Sequence, residues 1–408
     1  MKNTTQFIIT LLTITLLFSC TNNRGKSELK DGFWRGEITA QENKIPFIFD
    51  VIKTETSYKI NLHDGDNLIE INEVTVKNDS VFFALHIFDA TIKAKINNKT
   101  LTGTYTKNYA EDYILPFKAT FGKKNRLESA STSKIMDGKW AINLHKNDGT
   151  FNKTIGLFKT ENDILKGTIL TKTGDYRFLE GKIENDAFEL YAFDGNHLFT
   201  FKGIVENDTL LKGEFWSGKT FYQKFSGRKD AAAKLPDSNK LTFLKEGFDK
   251  IEFSFPNLEG NNVSLNAPKY KDKVVVLQIF GTWCPNCMDE TKFYADWYEK
   301  NKDRGVEIIG LAYENKDDFE YAKARVDKMR KTYNVGYDYL IAGTSNKGDA
   351  SKTLPMLNHI MSFPTSIIID KKGKVRNIHT GFSGPATGDY YLHYVEEFNQ
   401  LMDKLLNE

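Results

Sequence analysis

The sequence predicts a multidomain chain: an N-terminal all-β region, internally duplicated as two sandwiches or barrels, followed by a C-terminal α/β domain. Three observations carry this. Residues 31 to about 225 are dense in short alternating or β-rich runs such as "IPFIFDVI", "ATIKAKI" and "LFTFKGIV", parted by Asn, Asp and Gly turns. Three segments of that region recur in the same order. Beyond about residue 241 the texture changes to strand and helix in alternation.

The duplication is read from three pairs. "DGFWRGEI" at 31–38 answers "DGKWAINL" at 137–144. "VKNDSVFFALHIFDA" at 76–90 answers "IENDAFELYAFDG" at 183–195, and "INNKTLTGTY" at 96–105 answers "VENDTLLKGEF" at 205–215. Three matches in series at a common spacing mark a repeat rather than chance. The expected organisation is repeat 1 at 31–125, repeat 2 at 136–228, a linker at 229–245 and the α/β domain at 246–408; a single larger barrel shared by both repeats is the alternative. Trp34 and Trp140 occupy matching places and read as core residues, as do Phe82, Phe83, Phe88, Phe188 and Phe193. No acid pair, His cluster or phosphate loop stands out here, so the sequence assigns this half no chemistry.

The first residues read "MKNTTQFIITLLTITLLFSC": one Lys, a short apolar stretch, then Ser19-Cys20. That is too short for a comfortable membrane span and suits a signal peptide over 1–19, with 20–30 as a polar tether. A small residue directly before Cys resembles a bacterial lipoprotein box, which implies lipidation of Cys20 and a membrane anchor; an ordinary signal peptide with an incidental Cys, or an uncleaved anchor, is the alternative. The charge balance, 56 basic against 54 acidic residues for a net +2, gives no basic stripe and no reason to expect nucleic acid.

Within the C-terminal domain "KVVVLQIF" is a nearly continuous apolar run, as expected of a central strand covered on both faces. "NCMDETKFYADWYEKN" follows at helical period, and "GVEIIGLAY" is the next strand. "DDFEYAKARVDKMRKTY" is a helix with acids at its start and bases at its end. "YDYLIAG" reads as a strand, "SFPTSIIIDKKGKVRNIHTG" as two strands joined by a Lys-Gly turn, and "DYYLHYVEEFNQLMDKLLN" as the last helix. That order is the order of a thioredoxin fold.

Cys284 and Cys287 lie where the buried strand gives way to the helix, in "FGTWCPNCMDE". A zinc site needs about four Cys or His ligands, and no second C-x-x-C exists; His359 and His379 lack ligand spacing. A staple across two residues constrains the unfolded chain little. A redox couple remains, and export permits disulfide chemistry. Free N–H groups and the dipole at the helix start favour a thiolate at Cys284. Pro285 suits the first helical position. Cys287 is close enough to resolve a mixed disulfide formed at Cys284. Trp283 reads either as part of the docking surface or as plain packing.

From about Phe253 onward, "FSFPNLEGNNVSL", "KVVVLQIFGTWCPNC", "GVEIIGLAYE", "SFPTSIIIDKKGKV" and "HTGFSGPATG" resemble the TlpA/ResA type of membrane-tethered thioredoxin. The resemblance implies a disulfide reductase of the cell envelope, facing the periplasm, that needs no cofactor and no metal. Its partners would be disulfide-containing protein substrates and a membrane or periplasmic thiol donor. It further implies that Pro364 is a cis-proline which, with Phe363 and Trp283, meets the substrate chain. Glu290 matches a glutamate three residues after the second cysteine, able to exchange a proton with it; a solvated acid is the bland alternative. Where cytoplasmic thioredoxins carry a buried Asp this chain has Gln278, which cannot titrate. A peroxidase of related fold would carry Thr three residues before its reactive Cys, whereas Thr282 is two before Cys284. From a different class, the β repeats could be the working part, binding an envelope ligand or partner, with the α/β domain accessory.

Overall fold

The computed structural model describes residues 28–85, 87–127, 133 and 135–408; the expected signal peptide and Cys20 lie outside the described residues. The described residues form two nine-stranded antiparallel sheets, one five-stranded mixed sheet and a two-stranded pairing of Phe255–Pro256 with Asn262–Val263.

The first sheet runs from Gly32–Ala40 to Ile114–Phe121, and those two strands pair with each other. The second runs from Gly138–His145 to Phe221–Lys229, again with first and last strands paired. In the second sheet Ile164–Thr171 pairs with both Phe151–Glu161 and Leu179–Glu184, which closes a ring. In the first sheet Asn67–Ile71 and Val74–Lys77 are the unpaired ends of the order, so the sheet rolls without closing. The two sheets are separate bodies of hydrogen bonding, not one shared barrel.

The repeat has a counterpart in the cores. Trp34 and Trp140 are both fully buried. Each donates its indole N–H to the carbonyl four residues earlier, Trp34 to Lys30 at 3.0 Å and Trp140 to Met136 at 2.8 Å. Burying an indole is favourable when its N–H keeps a partner, and both copies use the same one. Phe83, Phe88, Phe188 and Phe193 are buried as expected. Phe82 is not: it is 42% exposed. Adjacent residues of a strand point to opposite faces, so only one of Phe82 and Phe83 can enter the core. Phe193, at the end of its strand in the second sheet, turns its ring into the core of the first, its centroid 4.4 Å from that of Phe47.

The C-terminal domain holds strands β1 (Val274–Phe280), β2 (Val306–Glu314), β3 (Asp338–Thr344), β4 (Thr365–Ile369) and β5 (Val375–Thr380), in the order β3-β2-β1-β4-β5. β1 is parallel to β2 and antiparallel to β4. All residues of β1 and β2 are buried. Helices α1 (Pro285–Asn301), α2 (Phe319–Thr332), α3 (Lys347–Thr353) and α4 (Asp389–Asn407) complete it. This is the thioredoxin-like arrangement. α3 was not foreseen. Asn346 caps it by accepting from the Gly348 and Asp349 N–H groups, and only Ala350 of the helix is buried. Within the expected linker, Thr242 is already docked on β5, its N–H donating to Thr380 Oγ1 at 3.1 Å. No helix among the described residues is long and apolar enough to cross a membrane.

Candidate functional site

α1 starts as its sequence dictates. Pro285 takes the first helical position, and Cys284 is the cap. Its Sγ accepts from the Cys287 N–H at 3.3 Å. The sulfur is thereby held at a free N–H of the helix start. The Cys284 thiol also donates to the Phe363 carbonyl at 3.4 Å. Phe363 precedes Pro364 through a cis peptide bond. Trp283 packs its ring edge-on to Phe363 at 5.6 Å and donates its indole N–H to the Tyr313 carbonyl at 2.9 Å. These contacts are those of the packing reading of Trp283. The structure thus brings Trp283, Cys284, Cys287, Phe363 and Pro364 together.

Cys287 is fully buried behind Cys284. Burial pushes its thiol well above the ordinary range, and the neighbouring Cys284 sulfur adds to the shift. One helical turn on, Glu290 is also fully buried, which overturns the reading of a solvated acid. Gln278, on the central strand, donates to Glu290 Oε2 at 2.9 Å. Gln278 Oε1 in turn accepts from Thr291 at 3.2 Å and Tyr337 at 3.3 Å, which fixes the amide as the donor to the carboxyl. Burial raises Glu290 to about 8, against the opposing pull of Gln278 and Tyr294. Near neutral pH this carboxyl is mostly protonated and can give a proton, while its ionised fraction can accept one.

A pH consequence follows. Glu290 moves from 4.5 to about 8 on folding. A group raised on folding binds more protons in the native state, so its contribution is full below its unfolded value and is lost as pH rises toward the folded one. Glu290→Gln removes that loss. Between about pH 5 and 8 the difference in unfolding free energy, wild type minus variant, is expected to fall with pH, at up to about 1.4 kcal/mol per unit. Asp175, raised to about 6, and Glu314, raised to about 7, both by burial, slope the same way and cancel in the comparison. Urea melts of both proteins across that range check it; parallel curves would contradict it.

Glu314 was missed by the sequence. At the end of β2 it accepts from both the N–H and the hydroxyl of Thr282, each at 2.9 Å, and so holds the turn that precedes Cys284.

The larger omission is the β half. The sequence assigned it no chemistry, yet it supplies buried polar groups to this site. Arg177, 1% exposed, lies between Asp64 of the first sheet, Asp194 of the second and Asp289 of α1. It also donates to the Pro285 carbonyl, inside the cysteine motif, at 3.0 Å. Asn196 Nδ2 donates to the Trp283 carbonyl at 2.7 Å. Cys284 itself is only 7% exposed. No local pattern marks these residues. One departure in the repeat lies here: the fourth strand, five residues long in the first sheet (Asn67–Ile71), shrinks to Gly174–Asp175 in the second.

Comparison with known proteins bears on this geometry. The AhpC/TSA family model matches residues 249–378. Thiol-disulfide oxidoreductase ResA of Bacillus thuringiensis subsp. konkukian is 33% identical over 132 residues, 32% of this chain and 68% of that protein. The chain belongs to the ResA thiol–disulfide oxidoreductases. A ResA of Bacillus cereus is likewise 33% identical, over 39% of this chain and 76% of its own. Among solved structures, a thioredoxin-family thiol:disulfide interchange protein from Chlorobium tepidum TLS aligns with 40% of this chain and 98% of its own, at 21% identity and a TM-score of 0.30. The ResA likeness covers the α/β domain and leaves the β half without a counterpart among these relatives.

Proposed function

We propose that this protein is a cell-envelope disulfide reductase in which Cys284 is the nucleophile and Cys287 the resolving thiol. The observation that carries the reading is the asymmetry of the pair. Cys284 sulfur caps a helix and faces the Phe363–Pro364 carbonyl, while Cys287 is buried behind it with a raised pKa. The Cys284 thiolate attacks one sulfur of a substrate disulfide, that S–S bond breaks, and the departing thiolate takes up a proton. Cys287 then passes its proton to the adjacent Glu290 in its ionised form and attacks Cys284 Sγ, expelling the second substrate thiolate, which takes up a proton. The substrate leaves as a dithiol carrying two electrons and two protons, and the protein is left with a 284–287 disulfide. A membrane or periplasmic thiol donor restores the dithiol. Phe363, Pro364 and Trp283 frame the place where the substrate chain must lie. The export signal at 1–19 and the lipidation box at Cys20 support an envelope location with a lipid anchor. The polar groups that the β half commits to this site support its being part of the enzyme rather than an independent binding module. The test is the Cys284→Ser protein: its reduction of a disulfide substrate should collapse, and an unchanged rate would remove the proposed role.

A further inference from the structure

The approach to Cys284 is framed by three loops of the α/β domain: Trp283–Asn286, Ser362–Pro364 and Gly381–Gly384. One segment of the second β sheet, Thr171–Arg177, touches all three. The Thr173 carbonyl accepts from Ser362 Oγ at 2.8 Å. The same peptide is pressed on Gly381 so closely that a Cβ there would lie 2.7 Å from the Thr173 carbonyl carbon. Asn286, between the two cysteines, donates to the Asp175 carbonyl at 3.1 Å, and the Gly384 N–H donates to Asp175 Oδ2 at 2.8 Å. Arg177 then ties the segment to the Pro285 carbonyl and to Asp289. Its backbone takes φ of +55°, a left-handed conformation uncommon for a side chain of this kind.

We propose that Thr171–Arg177 is the specificity-determining element of the site. Seated, it occupies the ground next to Phe363–Pro364 that a protein substrate's backbone would need. Thiol–disulfide exchange requires the incoming sulfur to reach Cys284 Sγ directly. A thiol 7% exposed beneath a strap of its own chain admits only small reagents. A disulfide carried on a folded protein reaches it only after the strap lifts.

The fastening suits a reversible strap. Arg177 is held through charges that are almost wholly desolvated, with Asp64 at 2.7 Å and Asp194 at 3.3 Å. Such a cluster gains little net stability over water but is costly to leave incomplete, so it specifies one seated geometry. Local opening of a segment of this kind proceeds without global unfolding. The β half thereby decides which disulfides the dithiol meets.

That selection by size rests on the disulfide-exchange reading, but access to the thiol can be measured without it. The full chain, reduced, is labelled with N-ethylmaleimide and separately with a polyethylene-glycol maleimide. The modification rate of the peptide carrying Cys284 is followed by mass spectrometry. The bulky-to-small rate ratio is compared with the same ratio for glutathione, an unhindered thiol. The wild-type ratio is expected to be lower than that of glutathione by about tenfold or more. Arg177→Met should bring it to within about threefold of glutathione. Asp175→Ala, which removes the acceptor of the Gly384 and Arg177 N–H groups but none of the carboxylates paired with the guanidinium, should move it in the same direction. A wild-type ratio equal to that of glutathione would overturn the strap, as would folded Arg177→Met and Asp175→Ala proteins with wild-type ratios. Failure of the redox reading would show elsewhere, as unchanged turnover in Cys284→Ser.

Discussion

Replacing Cys284 with serine is expected to lower the rate of disulfide reduction by about a thousandfold or more, because removing a nucleophile leaves only background catalysis. A serine hydroxyl is not ionised near neutral pH and cannot form the mixed disulfide. Cys287 cannot take over. It is fully buried, and burial holds its thiol in the protonated form that does not attack. Cys287→Ser should behave differently: it keeps the attacking sulfur, completes the first exchange, and then stalls as a covalent adduct with substrate. Steady-state rates for both variants, with non-reducing electrophoresis for the adduct, separate the two roles. Equal losses without an adduct in Cys287→Ser would contradict the assignment of nucleophile and resolver.

The second large effect is on stability. Arg177→Met keeps most of the side-chain length but removes the positive charge from among Asp64, Asp194 and Asp289. Asp64 and Arg177 are almost wholly buried, so water screens little of this. Breaking a buried ion cluster by deleting one partner costs about 3–5 kcal/mol, since the remaining charges stay desolvated. Burial already pushes Asp64 and Asp289 above the usual carboxylate range even with the guanidinium present. The loss should appear first as separation of the β half from α1, since the cluster bridges them. Asp64→Asn added to Arg177→Met should recover part of the loss, giving a non-additive cycle. Denaturant melts of the four proteins measure it; a loss below about 1 kcal/mol would mean the cluster is solvated in solution.

What the sequence made legible was local. The run Val274–Phe280 is apolar throughout because both faces are covered. The helix start is written in Pro285 and the two cysteines within four residues of one another. The repeated tryptophans were legible because the same hydrogen bond is built twice. What stayed hidden depends on distant partners. Arg177 meets Asp289 and Asp64 from 112 and 113 residues away, and no spacing rule connects them. Glu290 could be matched by position, but its burial beneath Gln278, and so its raised pKa, belongs to tertiary packing. α3 escaped notice because Lys347–Thr353 offers one buried residue and no apolar period. Phe82 was misplaced because two adjacent aromatics do not say which faces inward.

The central claim is that Cys284 and Cys287 form one two-electron couple that reduces substrate. Equilibrating the protein with glutathione at graded ratios of thiol to disulfide, then mapping the oxidised product by mass spectrometry, tests it directly. The account predicts a single transition to an intramolecular 284–287 disulfide, with a slope of about 30 mV per tenfold change and a midpoint more negative than about −200 mV. Glutathione adducts on separate cysteines, with no 284–287 bond at any ratio, would contradict it.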